Sequence, residues 1–214
     1  MNPAIALVLL LCFLSPHLVL SAPVRSPAEP PPAFTEAAER AKTLVEKILK
    51  DIPAAHAAVI TTEGLTLDPS AQTTNLQMMM TSLGIPPAPV LKPPSESFTL
   101  DVWVSSMSAG GRLYQGLLGV LSDRLSGLSN LHADLRDLLT HIAKMKEAAQ
   151  LGDAADQNQS LDLASRLPGN YEVQVAAHLT LTQLRSFCHD LMRSLRAAAT
   201  YRLPSPTHPA AGTQ

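Results

Sequence analysis

The sequence predicts an all-α fold: an up-up-down-down four-helix bundle with two long crossover loops. Three observations predict it. Four segments carry apolar residues at alternating spacings of three and four, the connections between them are one short and two long, and no β-hairpin signal of comparable strength competes.

In the first segment Phe34, Ala38, Ala41, Val45, Ile48 and Ile52 draw one stripe down a helical face. Pro53 lies inside this pattern and is expected to kink or end the helix, although Ala-rich sequence resumes beyond it. The second segment has Trp103, Met107, Gly110, Tyr114, Leu117 and Leu121, and Pro93-Pro94-Ser95 offers it a start with Ser95 as N-cap. The third has Leu128, Leu131, Leu135, Leu138, Ile142 and Met145. The fourth has Ala177, Leu181, Leu184, Cys188, Leu191, Leu195 and Ala198, opened by Pro168-Gly169-Asn170. Such stripes let helices pack near 20°.

Only about five residues, around Asp123 to Gly127, join the second and third helices, so these two run antiparallel. The other connections, residues 61–94 and 151–169, are long. A helix of about 24 residues is about 36 Å long, and extended chain gains about 3.3 Å per residue, so either connection can run the length of a bundle. That permits parallel first and second helices, then parallel third and fourth.

Residues 1–21 read as a secretory signal peptide. The stretch from Ile5 to Leu20 is almost wholly apolar and too short for a comfortable membrane span, and Val19 and Ser21 suit positions −3 and −1 of a cleavage site. Residues 22–33 and 203–214 are Pro-rich and expected to be disordered, leaving 34–202 as the helical domain. The expected product is secreted and extracellular, with no segment for membrane insertion. With 16 Lys+Arg against 18 Asp+Glu and no basic cluster, nucleic acid is excluded as a partner. Cys12 falls in the leader, which leaves Cys188 alone on the apolar seam, where a buried inert thiol is expected. Asn158-Gln159-Ser160 makes Asn158 a candidate glycosylation site.

Enzymatic chemistry finds no foothold. Seven histidines are present, but no His-Glu-x-x-His, Cys-x-x-Cys or phosphate-binding Gly loop, so no catalytic residue, metal ligand or cofactor is expected. His132 and His141 are nine apart on one helix, and His189-Asp190 are adjacent; both read as polar helix surface. Gly110-Gly111 would cost a helix about 1–2 kcal/mol relative to alanine, and close approach of a neighbouring helix is the favoured reason for them over approach of a partner.

Four stretches occur in order over residues 34–201. They are Ser82-Leu83-Gly84-Ile85-Pro86 with Ala88-Pro89; Leu113-Tyr114-Gln115-Gly116-Leu117-Leu118; Leu131-x-x-Asp134-x-x-Asp137 with Thr140 and Ile142; and Leu184-x-Ser186-Phe187 with Arg193 and Leu195-Arg196. In these the chain resembles the granulocyte colony-stimulating factor family, within the interleukin-6 group of long-chain cytokines. It departs from that family in lacking the four cysteines of its two disulfides. It also has Gly110-Gly111 where the wider group has Gly-Leu, and Asn75 where the family has an acidic residue.

The resemblance implies a growth factor that brings class I cytokine receptor chains together, two ligands with two receptors. Activated JAK/STAT signalling would then drive granulocyte proliferation and differentiation in the immune response. It implies one receptor patch on the first and third long helices, carried by Glu46, Lys50, Asp134 and Asp137. A second, facing a receptor immunoglobulin-like domain, would be carried by Leu76, Met78, Met79 and Ser82. Without the resemblance the charged residues read as a solvated face, and the apolar ones as packing under the crossover. The rival class is a secreted, amphipathic-helix, lipid-binding protein of apolipoprotein type. Such a protein usually has basic residues flanking the apolar face and no long crossovers, and no internal repeat is evident here.

Overall fold

Helix α1 (Pro32–Val59) begins where Pro32 takes the first turn, a position at which its missing N–H leaves no bond unmade. The computed structural model describes residues 30–67, 74–87, 89–91, 99–152 and 162–200, all within one compact unit. Five α-helices and two 3₁₀ turns make up the regular structure of these residues: α1, α2 (Thr74–Ser82), α3 (Leu100–Ser122), α4 (Ser129–Ala148) and α5 (Asn170–Thr200), with the 3₁₀ turns at Ser126–Leu128 and Ala164–Arg166. The fold is all-α. No helix among the described residues is long and apolar enough to cross a membrane. The leader, the tail and Asn158 lie outside the described residues.

Every residue of the four stripes is buried. α1 packs on α4 and α5, and α3 packs on the same two helices. The contacts run in register. Lys47 pairs with Asp134, and a β-carbon on Gly127 would meet Val59. His56 meets His178, and Thr61 meets Gln174. Gly110 lies against Phe187, and Gly111 against Leu139. A β-carbon on Gly110 would overlap the Phe187 ring, which itself stacks tilted on Tyr114 at 5.2 Å. The paired glycines are thus where α3 comes close to α4 and α5, as expected from the sequence.

Three boundaries differ from expectation. α1 runs through Pro53 to Val59, so of the kink or end expected at the proline the end does not occur. Pro53 is exposed, while Ile52, His56 and Val59 stay buried, so packing on both sides of the proline holds the turn that its missing donor weakens. α3 starts at Leu100 with Thr99 as N-cap, its hydroxyl accepting from the Val102 amide at 3.4 Å. Ser95, the expected cap, lies outside the described residues. The first connection, expected as plain crossover, contains α2. Its end is a Schellman turn in which Ile85 N–H donates to Met80 O (3.0 Å), Gly84 N–H donates to Thr81 O (3.1 Å), and Gly84 takes φ 69°. That turn accounts physically for Ser82-Leu83-Gly84-Ile85, with Leu83 and Ile85 buried beneath it.

Cys188 is buried on the seam, and desolvation pushes its thiol up to about 12, so it is chemically quiet.

Candidate functional site

The two implied patches lie on different flanks of the helices. On the first, α1 and α4 border an open groove of about 450 Å³ lined by Arg40, Thr43, Leu44, Asp137, Thr140, His141 and Lys144. Asp137 is exposed, three residues from Asp134 and on the same side of α4. Asp134 is half-buried beside the seam. It accepts from the Lys47 ammonium, which also pairs with Asp51 at 3.1 Å. Those two carboxylates, Asp134 first, raise the Lys47 pKa above the ordinary lysine value. At the groove, burial and then the positive charges of Lys144 and Arg40 push the His141 imidazole down, against Asp137. Glu36 pairs with Arg40 at 2.6 Å on the exposed side. The face therefore alternates cation and anion: Arg40, Asp137 and Lys144, with Asp51, Lys47 and Asp134 beside them.

Glu46 and Lys50 are exposed on α1, Glu46 on another flank and Lys50 one turn from Lys47 on its outer side. Successive helical residues turn by about 100°, so Glu46 points well away from Lys47, which reaches α4. The structure brings Lys47 and Arg40 to Asp134 and Asp137, rather than Glu46 and Lys50. Lys47 is only one position from Glu46, and choosing between them needs the rotation of α1 against α4. The structure supplies that rotation: the α4-facing flank is occupied by Arg40, Leu44 and Lys47.

The second patch is α2, which rests on α5. Met78 is 67% exposed, Leu76 and Met79 are half-buried, and Ser82 is exposed. Met78 is thus available as contact surface, while Leu76 and Met79 are partly engaged.

Polar anchors, not disulfides, seat the connection that carries α2. Gln174 Oε1 accepts from the amides of Thr61 (2.9 Å) and Thr62 (2.8 Å), and its Nε2 donates to the Thr61 hydroxyl. Arg185 donates to Leu67 O at 3.3 Å. Arg166 donates to Ser82 O at 3.2 Å and lies against Gly84. Gln183 bonds Met80. Long-range polar anchoring of this kind carries no local sequence mark, so the sequence gives no hint of it. Among the described residues no group of three or more His, Cys, Asp or Glu is placed to hold a metal. No protein-family model matches the chain, and no curated protein matches it either.

Proposed function

We propose that the chain is a secreted cytokine of the granulocyte colony-stimulating factor type, an up-up-down-down four-helix bundle that gathers class I cytokine receptor chains into a signalling assembly. The order of inter-helix contacts carries this reading. Moving up α1 from Lys47 to Val59, the partner positions fall from Asp134 to Gly127, and from His56 to Thr61 they fall from His178 to Gln174. α3 meets α5 and α4 in the same falling sense: Gly110 at Phe187 for α5, with Arg124 just past the end of α3 reaching Leu167 just before α5, then Gly111 at Leu139 and Gly119 at His132 for α4. Two helices that each oppose α4 and α5 are parallel to one another, which requires the long connections the sequence contains. That connectivity suits a ligand presenting separate surfaces to separate receptor chains.

On this reading Asp137 and Asp134 form the anionic part of the main receptor surface, and α2 forms the second. The lipid-carrier alternative is less well supported, because apolar residues such as Phe34, Leu135 and Leu181 are buried among the helices rather than left for a bilayer. Charge reversal tests the proposal. Asp137→Arg, alone or with Asp134→Arg, is expected to weaken receptor binding by about 2–4 kcal/mol, the range of interface hot spots, with unchanged helicity. Affinity within twofold of the parent would sink the assignment. Residues 22–214 are further expected to trigger tyrosine phosphorylation in receptor-bearing myeloid precursors and not to float with liposomes.

A further inference from the structure

We infer that His56 and His178 form an acid-released latch fastening the end of α1 and the start of the first connection to α5. The two residues are separated by 122 positions in sequence, yet His56 Nε2 lies 3.0 Å from His178 Nδ1. The rings meet edge-on, with centroids 5.3 Å apart and planes at 68°. Both side chains are buried, His56 8% and His178 2% exposed. A bond between these nitrogens needs one donor and one acceptor, so at least one imidazole is neutral. If both are protonated, two N–H groups point at each other and two like charges share a desolvated site.

The latch extends one turn along α5. Gln174 precedes His178 by four residues, on the same helix face, and holds the Thr61 and Thr62 amides. One face of α5 therefore grips His56, Thr61 and Thr62 together. Among the described residues no carboxylate contributes to the shift of either imidazole. The helical neighbours of His56 three and four residues away are Ile52, Pro53, Val59 and Ile60; those of His178 are Gln174, Val175, Leu181 and Thr182. Glu63 beyond α1 and Asp123 and Arg124 at the α3–α4 corner are exposed, and Glu172 sits near Gly169 at the start of α5. Burial alone lowers the His56 pKa; burial and then His56 push His178 down to about 4.

The direction of the pH effect follows. In the unfolded chain both imidazoles titrate near 6.5. Between that value and about 4 the unfolded chain binds more protons than the folded one, so folding loses stability as pH falls. The latch is closed above about pH 6.5 and opens progressively below it, and the contribution of His178 is spent below about pH 4.

The test is amide hydrogen exchange from pH 7.5 to 4, corrected for intrinsic rates, with imidazole titrations by NMR. Protection of Thr61 and Thr62 is expected to fall at least tenfold relative to α4 core amides between pH 7 and pH 5. His141→Gln, which removes a half-buried imidazole on α4 that burial also pushes down, is expected to leave that fall intact. His56→Gln/His178→Gln is expected to abolish it. His56→Gln alone, which cannot form a like-charged pair, is expected to lose at least half of it on a logarithmic scale. Titration of both imidazoles above pH 6, or an undiminished fall in either variant lacking His56, would overturn the latch. No readout involves a receptor, so failure here would leave the proposed function standing.

Discussion

Gly110 and Gly116 sit six residues apart on α3, and their substitution is expected to have opposite effects. Alanine favours a helix over glycine by about 1 kcal/mol, so Gly116→Ala, at an exposed position, is expected to raise stability by roughly that amount. At Gly110 the added methyl would overlap the Phe187 ring, itself fully buried against Tyr114. Overpacking of this kind costs about 1–3 kcal/mol and outweighs the propensity gain, so Gly110→Ala is expected to lower the urea midpoint. A rise in both midpoints would mean that α3 and α5 are not in close contact there. That the glycine pair marks a close approach is legible in sequence, since two glycines in a strong apolar stripe need a packing reason. That Phe187 fills the space at Gly110, or that Lys47 rather than Glu46 reaches Asp134, depends on helix rotation, which spacing alone leaves open.

α1 keeps its helical path through Pro53 because Ile52, His56 and Val59 are packed around the proline's exposed position. The Leu49 carbonyl, which an amide at position 53 would serve, loses its helical donor. Pro53→Ala restores that donor and is expected to stabilise the chain by about 1–3 kcal/mol in urea unfolding. At the end of the same element, Gln174→Ala would leave the Thr61 and Thr62 amides without their acceptor. A cost of about 1–3 kcal/mol is expected, with faster proteolysis between residues 60 and 67 than in α4. The four long helices were readable because each stripe is long enough to average over exceptions, and all of its residues are buried. Their ends were less readable. A proline predicts a break only if packing does not override it, and Thr99 caps α3 where Pro93-Pro94-Ser95 suggested an earlier start. α2 escaped notice for another reason. Nine residues rich in methionine and polar side chains make no stripe, and what marks the element is the Schellman turn at Gly84, a feature of its end.

The molecule as a whole presents two faces of different character: a groove of alternating charges between α1 and α4, and a methionine-bearing helix laid on α5. The resemblance implies Glu46, Lys50, Asp134 and Asp137 for the first and Leu76, Met78, Met79 and Ser82 for the second. It could not say what seats the second without disulfides, because Gln174, Arg166 and Arg185 act on carbonyls and amides about 80 to 120 residues away. One thiol reports on the integrity of the whole. Cys188 is buried at the centre of α5 with its thiolate suppressed, so reaction with a disulfide reagent is expected only when the core opens. Labelling rates in increasing urea should therefore track global unfolding, and fast labelling in buffer would contradict the packed seam.

The anchoring of the first connection by side-chain amide and guanidinium groups has a practical corollary. Hydrogen bonds re-form at once when denaturant is diluted, whereas cross-linked crossovers must wait for oxidation and risk mispairing. With Cys188 free and buried, dithiothreitol should leave the refolding yield of residues 22–214 unchanged.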